Sequence, residues 1–505
     1  MIILMMGQSL FAKTFGGTDD DCAYSISQTT DGGYVVAGYT YSFGAGNCDF
    51  LVLKLDPDGS IEWARTFGGW TVDWAYSIAQ TSDGGYAVVG GTYSFGAGLD
   101  DFLVLKLDPD GSIEWARTFG GKSGECDYNY TCSIIQTNDA GYAVAGLTHS
   151  FGAGQDDFLV FKLDTDGSLA WARTFGGTDD DCAYSISQTT DGGYVVAGST
   201  ESFGVGSTNF LILKLDPSGN LSWAKTFGGV SRHEARSIIQ TSDSGYAVTG
   251  WIYGFGAGSS DFLVLKLDPD GSIEWARTFG GTGWDESVSV IQTVDGGYAV
   301  TGLTHSFSVG WGDFLVLKLD PDGSLEWAKT FGGTSYDYVY SIIQTTDGGY
   351  AVAGRTRSFG TGLDDLLVLK LGADGDYSGC VQPCLPMVTS PNPSISSPSP
   401  TQTSPSLSIS IPNLTITTPN LTMTDVCPPA VGEADIPGPR PGITCSPISG
   451  GAFFLSPGEM FLKVYTANGR LVYSEALRKG ENKITLERGV YLWHAGPYKG
   501  KVIIR

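Results

Sequence analysis

The residue types that most often carry catalysis or bind metals are scarce in this sequence. Histidine occurs four times, at His149, His233, His305 and His494. His149 and His305 occupy the same position of a repeated unit, where other copies carry tyrosine or glutamate, so they indicate a variable rim rather than a metal cluster. No Ser-His-Asp order, His-Glu-x-x-His motif or paired Cys-x-x-Cys motif occurs. We therefore predict no catalytic residue, no metal site and no cofactor.

Carboxylates recur at one loop position of the repeat. A ring of them could line a cation or sugar site, but an aspartate beside a strand more often accepts backbone N–H groups and fixes its loop. We expect that structural role. The Asp-Pro-Asp-Gly segments lack the further oxygen ligands of a calcium loop and are predicted to be hairpin turns. The recurring position is occupied by Asp21, Asp73, Asn129, Asp181, His233, Asp285 and Asp337.

Aromatic residues are concentrated in the segments that join one repeat to the next, which are also the most variable part of the repeat. Aromatic rings in exposed loops suit sugars and protein partners. Drift in tolerant loops would leave the same pattern. The ligand-binding candidates, all expected on one face, are Trp70, Trp74, Tyr128, Tyr130, Trp284, Tyr336 and Tyr338.

The elements that must position these residues come from an internal repeat. Thr-Phe-Gly-Gly recurs seven times, at intervals of 52 residues with a single interval of 56. Each unit contains four strand-like segments joined by Asp-Gly-Gly and Asp-Pro-Asp-Gly turns. A repeat of this length with four strands is typical of a propeller blade. A lysine in every third strand is expected to be a buried stem with a paired head.

The strand count predicts how the ring closes. The second and third strands occur seven times, whereas the fourth strand, marked by tryptophan, occurs six times after residue 60. Residues 10–14 match the missing strand, with Phe11 in the tryptophan position. We therefore predict an all-β fold, a seven-bladed β-propeller of four-stranded blades over residues 10–376, closed by the N-terminal strand. Closure would remove two open sheet edges.

Residues 10–376 resemble the extracellular bacterial propeller repeats related to the quinoprotein blade and the delta-60-like repeats. The shared motif is Asp-Gly-x-x-x-Trp, which ends a blade and stands here, for example, at Asp58 to Trp63. The resemblance implies the architecture and an extracellular setting. It implies little about activity.

Composition excludes several classes of function. The chain has 505 residues, 72 of them glycine, and a net charge of −25, which argues against a nucleic-acid partner. No apolar run approaches the roughly 20 residues of a membrane-spanning helix, so no transmembrane segment is expected. Residues 1–9 are interpreted as a truncated signal remnant, with a disordered start as the alternative.

Composition changes after residue 376. Five prolines follow one another at seven-residue intervals from Pro391 to Pro419 in a Ser/Thr-rich tract. We interpret residues 377–452 as an extended linker or stalk. A small β-structured array is the alternative, because residues 408–417 alternate polar and apolar side chains.

Residues 453–505 regain strand patterning, with a hairpin signal at Asn468-Gly469. They are predicted to form a small β-sandwich. They resemble the C-terminal sorting domain of the type IX secretion system, although Thr466-Ala467 stands where aspartate is common. The resemblance implies export by the type IX machinery and a secreted or cell-surface location, with release and anchoring both open. The matching segments are Val464-Tyr465, Asn468 to Val472, Gly489-Val490-Tyr491 and Gly500 to Ile504.

Nine cysteines fit an oxidising destination. Cys126 and Cys132 sit in the one expanded loop and are either a disulfide or two buried thiols. Cys22 and Cys48 stand in neighbouring loops and are open to the same two interpretations.

These observations together predict a secreted or surface-displayed, non-enzymatic module for binding or adhesion, with a glycan or a protein as its ligand. The alternatives are a carbohydrate-active or quinoprotein-like enzyme with a pocket at the channel mouth, and a structural surface-layer protein. Near-identical blades argue against an enzyme, because an active site brings unlike groups to one point.

Overall fold

The computed structural model describes residues 9–126, 132–254 and 256–377 in full and, between residues 381 and 504, the backbone of fourteen further strands. The fully described residues form strands joined by turns and loops. In chain order these strands are β1 (Phe11–Gly16), β2 (Asp21–Gln28), β3 (Tyr34–Thr40), β4 (Asp49–Leu55), β5 (Ile61–Gly68), β6 (Asp73–Gln80), β7 (Tyr86–Thr92), β8 (Asp101–Leu107), β9 (Ile113–Gly120), β10 (Ser133–Gln136), β11 (Tyr142–Thr148), β12 (Asp157–Leu163), β13 (Leu169–Gly176), β14 (Asp181–Gln188), β15 (Tyr194–Thr200), β16 (Asn209–Leu215), β17 (Leu221–Gly228), β18 (His233–Gln240), β19 (Tyr246–Tyr253), β20 (Ser260–Leu267), β21 (Ile273–Gly280), β22 (Asp285–Gln292), β23 (Tyr298–Thr304), β24 (Asp313–Leu319), β25 (Leu325–Phe331), β26 (Asp337–Gln344), β27 (Tyr350–Thr356) and β28 (Asp365–Leu371).

Seven antiparallel blades are built from these strands. Blade one is β2–β5, and each following blade takes the next four strands, except that blade seven is β26–β28 with β1 as its fourth strand. The first strand of a blade, called here the inner strand, lies beside the inner strands of both neighbouring blades, so that the seven inner strands surround a central channel. The predicted seven-bladed propeller of four-stranded blades is confirmed.

The N-terminal strand closes the ring as predicted. Its pairing with β28 runs from Phe11 opposite Lys370 to Phe15 opposite Leu366. The Phe11 ring meets Tyr34 edge-on with 5.7 Å between centroids, and Trp63 meets Tyr86 in the same way at 5.8 Å. Phe11 therefore stands in the place that tryptophan holds in the other blades.

Each fourth-strand aromatic ring locks its blade to the next blade. The Trp63 indole Nε1 donates to the carbonyl of Pro109 at 3.2 Å, and its ring lies against Gly111 in the same turn. Gly111 has a φ of +81°, and a Cβ there would stand 2.9 Å from the indole. Glycine is therefore required both by the backbone conformation and by the packing of the ring. The same ring-on-glycine contact occurs between all seven pairs of blades: Phe11–Gly59, Trp63–Gly111, Trp115–Gly167, Trp171–Gly219, Trp223–Gly271, Trp275–Gly323 and Trp327–Gly375.

The apolar core lies between neighbouring blades. Val35 and Val52 of blade one, for example, share a cluster with Val88 and Leu105 of blade two. The third-strand lysines are buried and their Nζ atoms reach the aspartate of the Asp-Gly-Gly turn, which confirms the expected paired heads. These ion pairs are Lys54–Asp31, Lys106–Asp83, Lys162–Asp139, Lys214–Asp191, Lys266–Asp243, Lys318–Asp295 and Lys370–Asp347.

Seven short strands of the Pro/Ser/Thr-rich tract form a belt around the propeller. Each pairs antiparallel with the fourth strand of one blade and becomes the fifth strand of that sheet. The belt visits the blades in reverse order, from blade six back to blade one, and ends on β1 of blade seven. The belt strands are β29 (Val381–Pro383), β30 (Met387–Thr389), β31 (Ser394–Ser396), β32 (Thr401–Thr403), β33 (Ser408–Ser410), β34 (Thr415–Thr417) and β35 (Thr422–Asp425).

The belt differs from the stalk expected for residues 377–452. Residues 1–429 form one compact unit, so the tract belongs to the propeller up to that point. The physical reason is that an outer strand presents unpaired N–H and C=O groups that another strand can satisfy. The five prolines at seven-residue intervals all fall between belt strands, where the missing N–H costs no ladder hydrogen bond.

The second compact unit covers residues 430–505. It contains a three-stranded sheet in the order β36-β37-β40 and a four-stranded sheet in the order β39-β38-β41-β42. The strands that flank the predicted hairpin at Asn468-Gly469 pair antiparallel, with Val464 opposite Tyr473. The strands are β36 (Thr444–Ile448), β37 (Gly451–Ser456), β38 (Met460–Thr466), β39 (Leu471–Leu477), β40 (Gly480–Thr485), β41 (Gly489–Ala495) and β42 (Tyr498–Ile504).

Deletion of residues 1–16 should destabilise the ring, because it leaves β28 as an open edge and removes the Phe11–Gly59 contact. We expect a lower melting temperature and association through the exposed edge, measured by calorimetry and light scattering. Deletion of residues 1–8 is the matched control and should leave both measurements unchanged. Equal behaviour of the two deletions would contradict the closure described here.

Removal of the belt should have a separate effect from removal of the second unit. A chain ending at residue 429 keeps all seven belt strands and should melt like the full-length propeller. A chain ending at residue 377 uncovers seven outer edges, and we expect it to melt lower and to associate as its concentration rises. Identical melting and scattering of the two truncated chains would show that the belt contributes no edge protection.

Candidate functional site

The central channel holds a cavity of about 420 Å³. It is lined by the middle residues of the inner strands, by Glu286 and Tyr338 near the starts of two inner strands, and by Trp251 and Leu303 near the ends of two second strands. These last four residues lie toward the face that carries the loops between repeats. The cavity therefore opens on the face for which sequence analysis predicted ligand binding.

A ring of serines, one from each inner strand, forms the constant part of the lining. Ser25 Oγ accepts the backbone N–H of Ile78 in the next blade at 3.3 Å, and Ser185 Oγ accepts that of Ile238 at 3.1 Å. These hydroxyls join neighbouring blades, so we assign them a structural role. The seven positions are Ser25, Ser77, Ser133, Ser185, Ser237, Ser289 and Ser341.

The residue before each serine is the variable part of the lining. In blade one the pairing of β2 with β3 shifts between Ala23 and Ser25, which leaves Tyr24 as the extra residue of a β-bulge. Bulges of this kind redirect a side chain, here toward the channel. The same position in successive blades holds Tyr24, Tyr76, Cys132, Tyr184, Arg236, Val288 and Tyr340.

Charged groups enter the cavity from blades five and six. Glu234, buried outside the lining itself, forms ion pairs with the guanidinium groups of Arg232 at 2.7 Å and Arg236 at 2.6 Å. The Arg236 guanidinium also lies 4.4 Å from the centre of the Tyr184 ring. Glu286 accepts from the indole N–H of Trp284 at 2.6 Å. Burial raises the pKa of Glu286, and the nearby Arg236 opposes that rise.

A continuous line of aromatic rings, which we call the aromatic ladder, leads from the rim into the cavity. It begins at Trp311, 66% exposed, and continues through Tyr336 at 5.9 Å between centroids. Tyr336 and Tyr338 stack at 5.7 Å with 17° between their planes. Tyr338 and Tyr340 stack at 6.5 Å and 13°, and Tyr340 meets Tyr24 at 4.5 Å.

The predicted site residues separate into three groups. Trp284 is 52% exposed beside the cavity, while Tyr336 and Tyr338 are half-buried in the ladder. Trp70 is 87% exposed, but it stands between blades one and two, away from blades six and seven. Tyr128 and Tyr130 lie outside the described residues.

Trp74 corrects the prediction that all these rings are exposed. It is buried, and its ring meets Tyr93 edge-on at 5.5 Å. The alternation of side chains along β6 turns the Trp74 side chain into the protein core.

Sequence analysis missed the lower half of the site. Tyr340, Tyr24 and Arg236 sit in the strand segments that were treated as regular repeats, and only the bulge brings them into the channel. Trp311 had a visible signal, because its loop reads Ser-Val-Gly-Trp-Gly where four other repeats carry Gly-Ala-Gly, one carries Gly-Val-Gly and one Gly-Thr-Gly.

The recurring carboxylates fix loops, as expected. Asp73 Oδ2 accepts the backbone N–H of Gly69 and the hydroxyl of Ser94, both at 2.8 Å. In blade three the equivalent residue is Glu125, whose N–H donates to Asp100 as that of Asp73 donates to Cys48. The assignment of Asn129 to this position was wrong, because the four extra residues follow Cys126; Asn129 itself lies outside the described residues.

The cysteines of the propeller are buried. The Sγ atoms of Cys126 and Cys132 lie 2.9 Å apart. Cys22 and Cys48 are thiols that donate to different carbonyl oxygens, those of Ala23 and Asp73. Burial raises the pKa of Cys22 to about 12, so this thiol is not a reactive nucleophile.

Comparison with known proteins supports the architecture. The family described as a domain of unknown function (DUF5122) β-propeller matches residues 29–62, 81–114 and 246–274. The regulatory protein FlaEY of Caulobacter vibrioides is 25% identical over 260 residues, which cover 46% of this chain and 25% of FlaEY. The chain thus spans about a quarter of the length of this relative.

Solved structures with low identity also align with the chain. Sqt1 from Chaetomium thermophilum aligns with 12% identity and a TM-score of 0.39, covering 72% of this chain and 99% of Sqt1. PorZ, a surface component of the type IX secretion system of Porphyromonas gingivalis, aligns with 13% identity and a TM-score of 0.41, covering 97% of this chain and 59% of PorZ. Among the described residues, no helix has the length and apolar character needed to cross a bilayer.

Proposed function

We propose that this protein is a secreted or cell-surface binding module that holds an extended glycan along the aromatic ladder, with one end of the glycan in the channel cavity. The observation that carries the proposal is the unbroken line of rings from Trp311 to Tyr24. Its steps measure 4.5 to 6.5 Å between centroids. We propose that the module binds this ligand without catalysing a reaction.

The chemistry of the ladder favours a sugar over a protein ligand. Tyrosine offers a flat apolar face and a hydroxyl at small entropic cost, which suits a ligand with apolar faces and polar edges. The cavity that the ladder enters is also lined by Glu286 and Arg236, which can exchange hydrogen bonds with sugar hydroxyls. A narrow line of rings that descends into a cavity differs from the broad patch, about 800 Å² per partner, of a typical protein interface.

The ladder can be tested with an array of neutral and acidic oligosaccharides, followed by calorimetry with the tightest binder. The double variant Tyr336→Ala/Tyr338→Ala should weaken binding by about 2 kcal/mol or more, which is about 30-fold. Tyr338→Phe keeps the ring and should bind nearly normally.

Trp70→Ala is the matched control, because it removes an exposed loop tryptophan outside the ladder. Asp58→Ala, in a turn of the opposite face, is a second control. Loss of binding in either control together with normal binding of the tyrosine variant would contradict the proposed face and ligand path.

A second candidate function, glycoside hydrolysis at the same cavity, is favoured by one observation. Two nearby carboxylates have unlike environments: Glu286 lines the cavity and burial raises its pKa, whereas Glu234 is buried outside the lining and is held by two arginines. Such differences separate the acid from the second carboxylate in glycosidases. Release of shorter sugars by the parent chain and not by Glu286→Gln would favour this candidate over pure binding.

We propose that export depends on residues 453–505, which resemble the sorting domain. In that family the domain is a β-sandwich. From residue 446 onward the chain holds nine basic and four acidic residues, so this segment differs in charge from the acidic remainder. The partner would be the type IX machinery.

A chain ending at residue 429 should fold and remain in the periplasm of a bacterium that has type IX secretion, while the full chain leaves the cell. The measurement is immunoblotting of periplasmic and extracellular fractions. Equal extracellular amounts of the two chains would contradict the sorting role.

A further inference from the structure

Each junction between neighbouring blades buries two polar side chains that face each other. One is the first residue of a third strand, and the other is the first residue, or its equivalent, of the next inner strand. Six of these junction pairs consist of two acids and one does not. The pairs are Asp49–Asp73, Asp101–Glu125, Asp157–Asp181, Asn209–His233, Asp261–Asp285, Asp313–Asp337 and Asp365–Asp21, and every member is buried.

The two acids of a pair approach the same point. Asp49 Oδ1 and Asp73 Oδ2 both lie no more than 2.8 Å from the place where a Cβ of Gly68 would stand. Asp157 and Asp181 meet in the same way beside Gly176, within 2.9 Å of the corresponding point. The carboxylate oxygens occupy the space that a Cβ of this residue would need, so glycine is required at the junction.

The carboxylates of each pair also hold loops on the face where the cavity opens, which we call the ligand face. Asp49 Oδ2 accepts the N–H groups of Ala45 at 2.9 Å and Gly46 at 3.2 Å, in the loop between the second and third strands. Asp73 Oδ2 accepts from Gly69 and Ser94. Each pair therefore connects two loops that surround the cavity mouth.

On the third strands, the aspartate oxygens that face the partner acid lack donors. Among the described residues, no donor reaches the Oδ1 atom of five third-strand aspartates, nor Glu125 Oε2, which belongs to the same pair as Asp101. Two acceptors cannot satisfy each other unless a proton lies between them. The five aspartates are Asp49, Asp101, Asp157, Asp261 and Asp313.

In the part of the chain that the structure describes, no cation forms an ion pair with a member of the six acid pairs. Their charged and titratable neighbours are Asp364, which is itself held by Arg355 and Arg357, Asp156, which is paired with His149, Asp100 beside Glu125, and Cys48 beside Asp49. Burial raises the pKa of Asp21, Asp49, Asp181 and Asp313 to about 6 and that of Glu125 to about 7. Two ionised carboxylates at one buried point would repel each other strongly.

The fifth junction supplies a natural comparison. Asn209 and His233 replace both acids together, and burial lowers the pKa of His233 to about 4. This pair is uncharged. The amide and the imidazole supply their own hydrogen-bond donors, so no additional proton has to bind between the two side chains. Replacement of both partners at the same junction is what a shared hydrogen bond would require.

We propose that each of the six acid junction pairs holds one shared proton in mildly acidic solution, and that this proton clamps the loops of the ligand face. The proton joins a carboxylic acid to a carboxylate, so each pair carries one negative charge. As the pH rises and the proton leaves, the two carboxylates repel each other and the loops loosen. The Asn209–His233 junction is unaffected.

The sign of the pH dependence follows from linkage. In the unfolded chain the acids ionise near pH 4, whereas each folded pair keeps a proton to a higher pH. Unfolding between these limits therefore releases protons. The contribution of the pairs to stability is complete below about pH 4 and falls as the pH rises through about 6 to 7.

Proton release can be counted on the full-length chain by calorimetric unfolding at about pH 5.5 in buffers of different ionisation enthalpy. Asp49→Asn should release about one proton fewer than the parent chain, and Asp313→Asn should do the same if Asp49→Asn does not fold. The double variant Asn209→Asp/His233→Asp creates a seventh acid pair and also removes His233, which takes up about one proton on unfolding at this pH, so it should release about two more. Unchanged proton release in these variants would overturn the proposal.

Hydrogen exchange tests the clamp in the unmodified chain. Peptides covering residues 41–49 and 201–209 report the equivalent loop at an acid junction and at the Asn209–His233 junction. Between about pH 5.5 and 8, after correction for intrinsic exchange, protection should fall about tenfold in the first peptide and stay constant in the second. Equal responses would overturn the proposal, as would a rise in melting temperature with added calcium, which would place a cation in the pairs.

Discussion

The propeller depends on one contact that is repeated at every blade junction, the aromatic ring of a fourth strand packed on the turn glycine of the next blade. A closed ring of seven blades requires seven equal angular steps, so the contact has to recur without exception. Six copies use tryptophan, from Trp63 on Gly111 to Trp327 on Gly375, and the seventh uses Phe11 on Gly59. The N-terminal strand is therefore part of the same interlock, and the Asp-Pro-Asp-Gly turns cannot vary freely.

This constraint explains where differences between the blades can accumulate. The ring-on-glycine contacts occupy the face of the Asp-Pro-Asp-Gly turns, and the serine ring occupies the channel wall. Neither the ring-on-glycine contacts nor the serine hydrogen bonds constrain the bulge position before each serine or the loops at the opposite face. Tyr340, Arg236 and Val288 can consequently occupy equivalent positions without disturbing the repeat. A cavity with unlike groups thus arises in a frame of nearly identical blades.

The repeat made the blades and their closure predictable, because the 52-residue interval and the place of Phe11 are properties of the sequence alone. The site was predictable only in part. Trp284, Tyr336 and Tyr338, which were predicted from the segments between repeats, stand beside the cavity or in the ladder, whereas Trp74, predicted from the same kind of segment, lies in β6 and is buried. Tyr24 and Tyr340 enter the channel through a bulge, and a bulge leaves no mark in a regular alternation. Glu125 was missed because the position of an insertion cannot be fixed until the hydrogen bonds of its neighbours are known.

The belt has its own sequence interval, and this interval matches the spacing of the blades. Its prolines recur every seven residues, and an extended segment of that length spans at most about 23 to 25 Å. Each such segment carries the chain from one blade to the next, so the number of belt strands equals the number of blades. The direction of travel places the last belt strand, β35, on β1, with Thr14 opposite Thr424. The strand that closes the ring is itself covered by the strand that ends the belt, so the seam of the propeller is held from both of its edges.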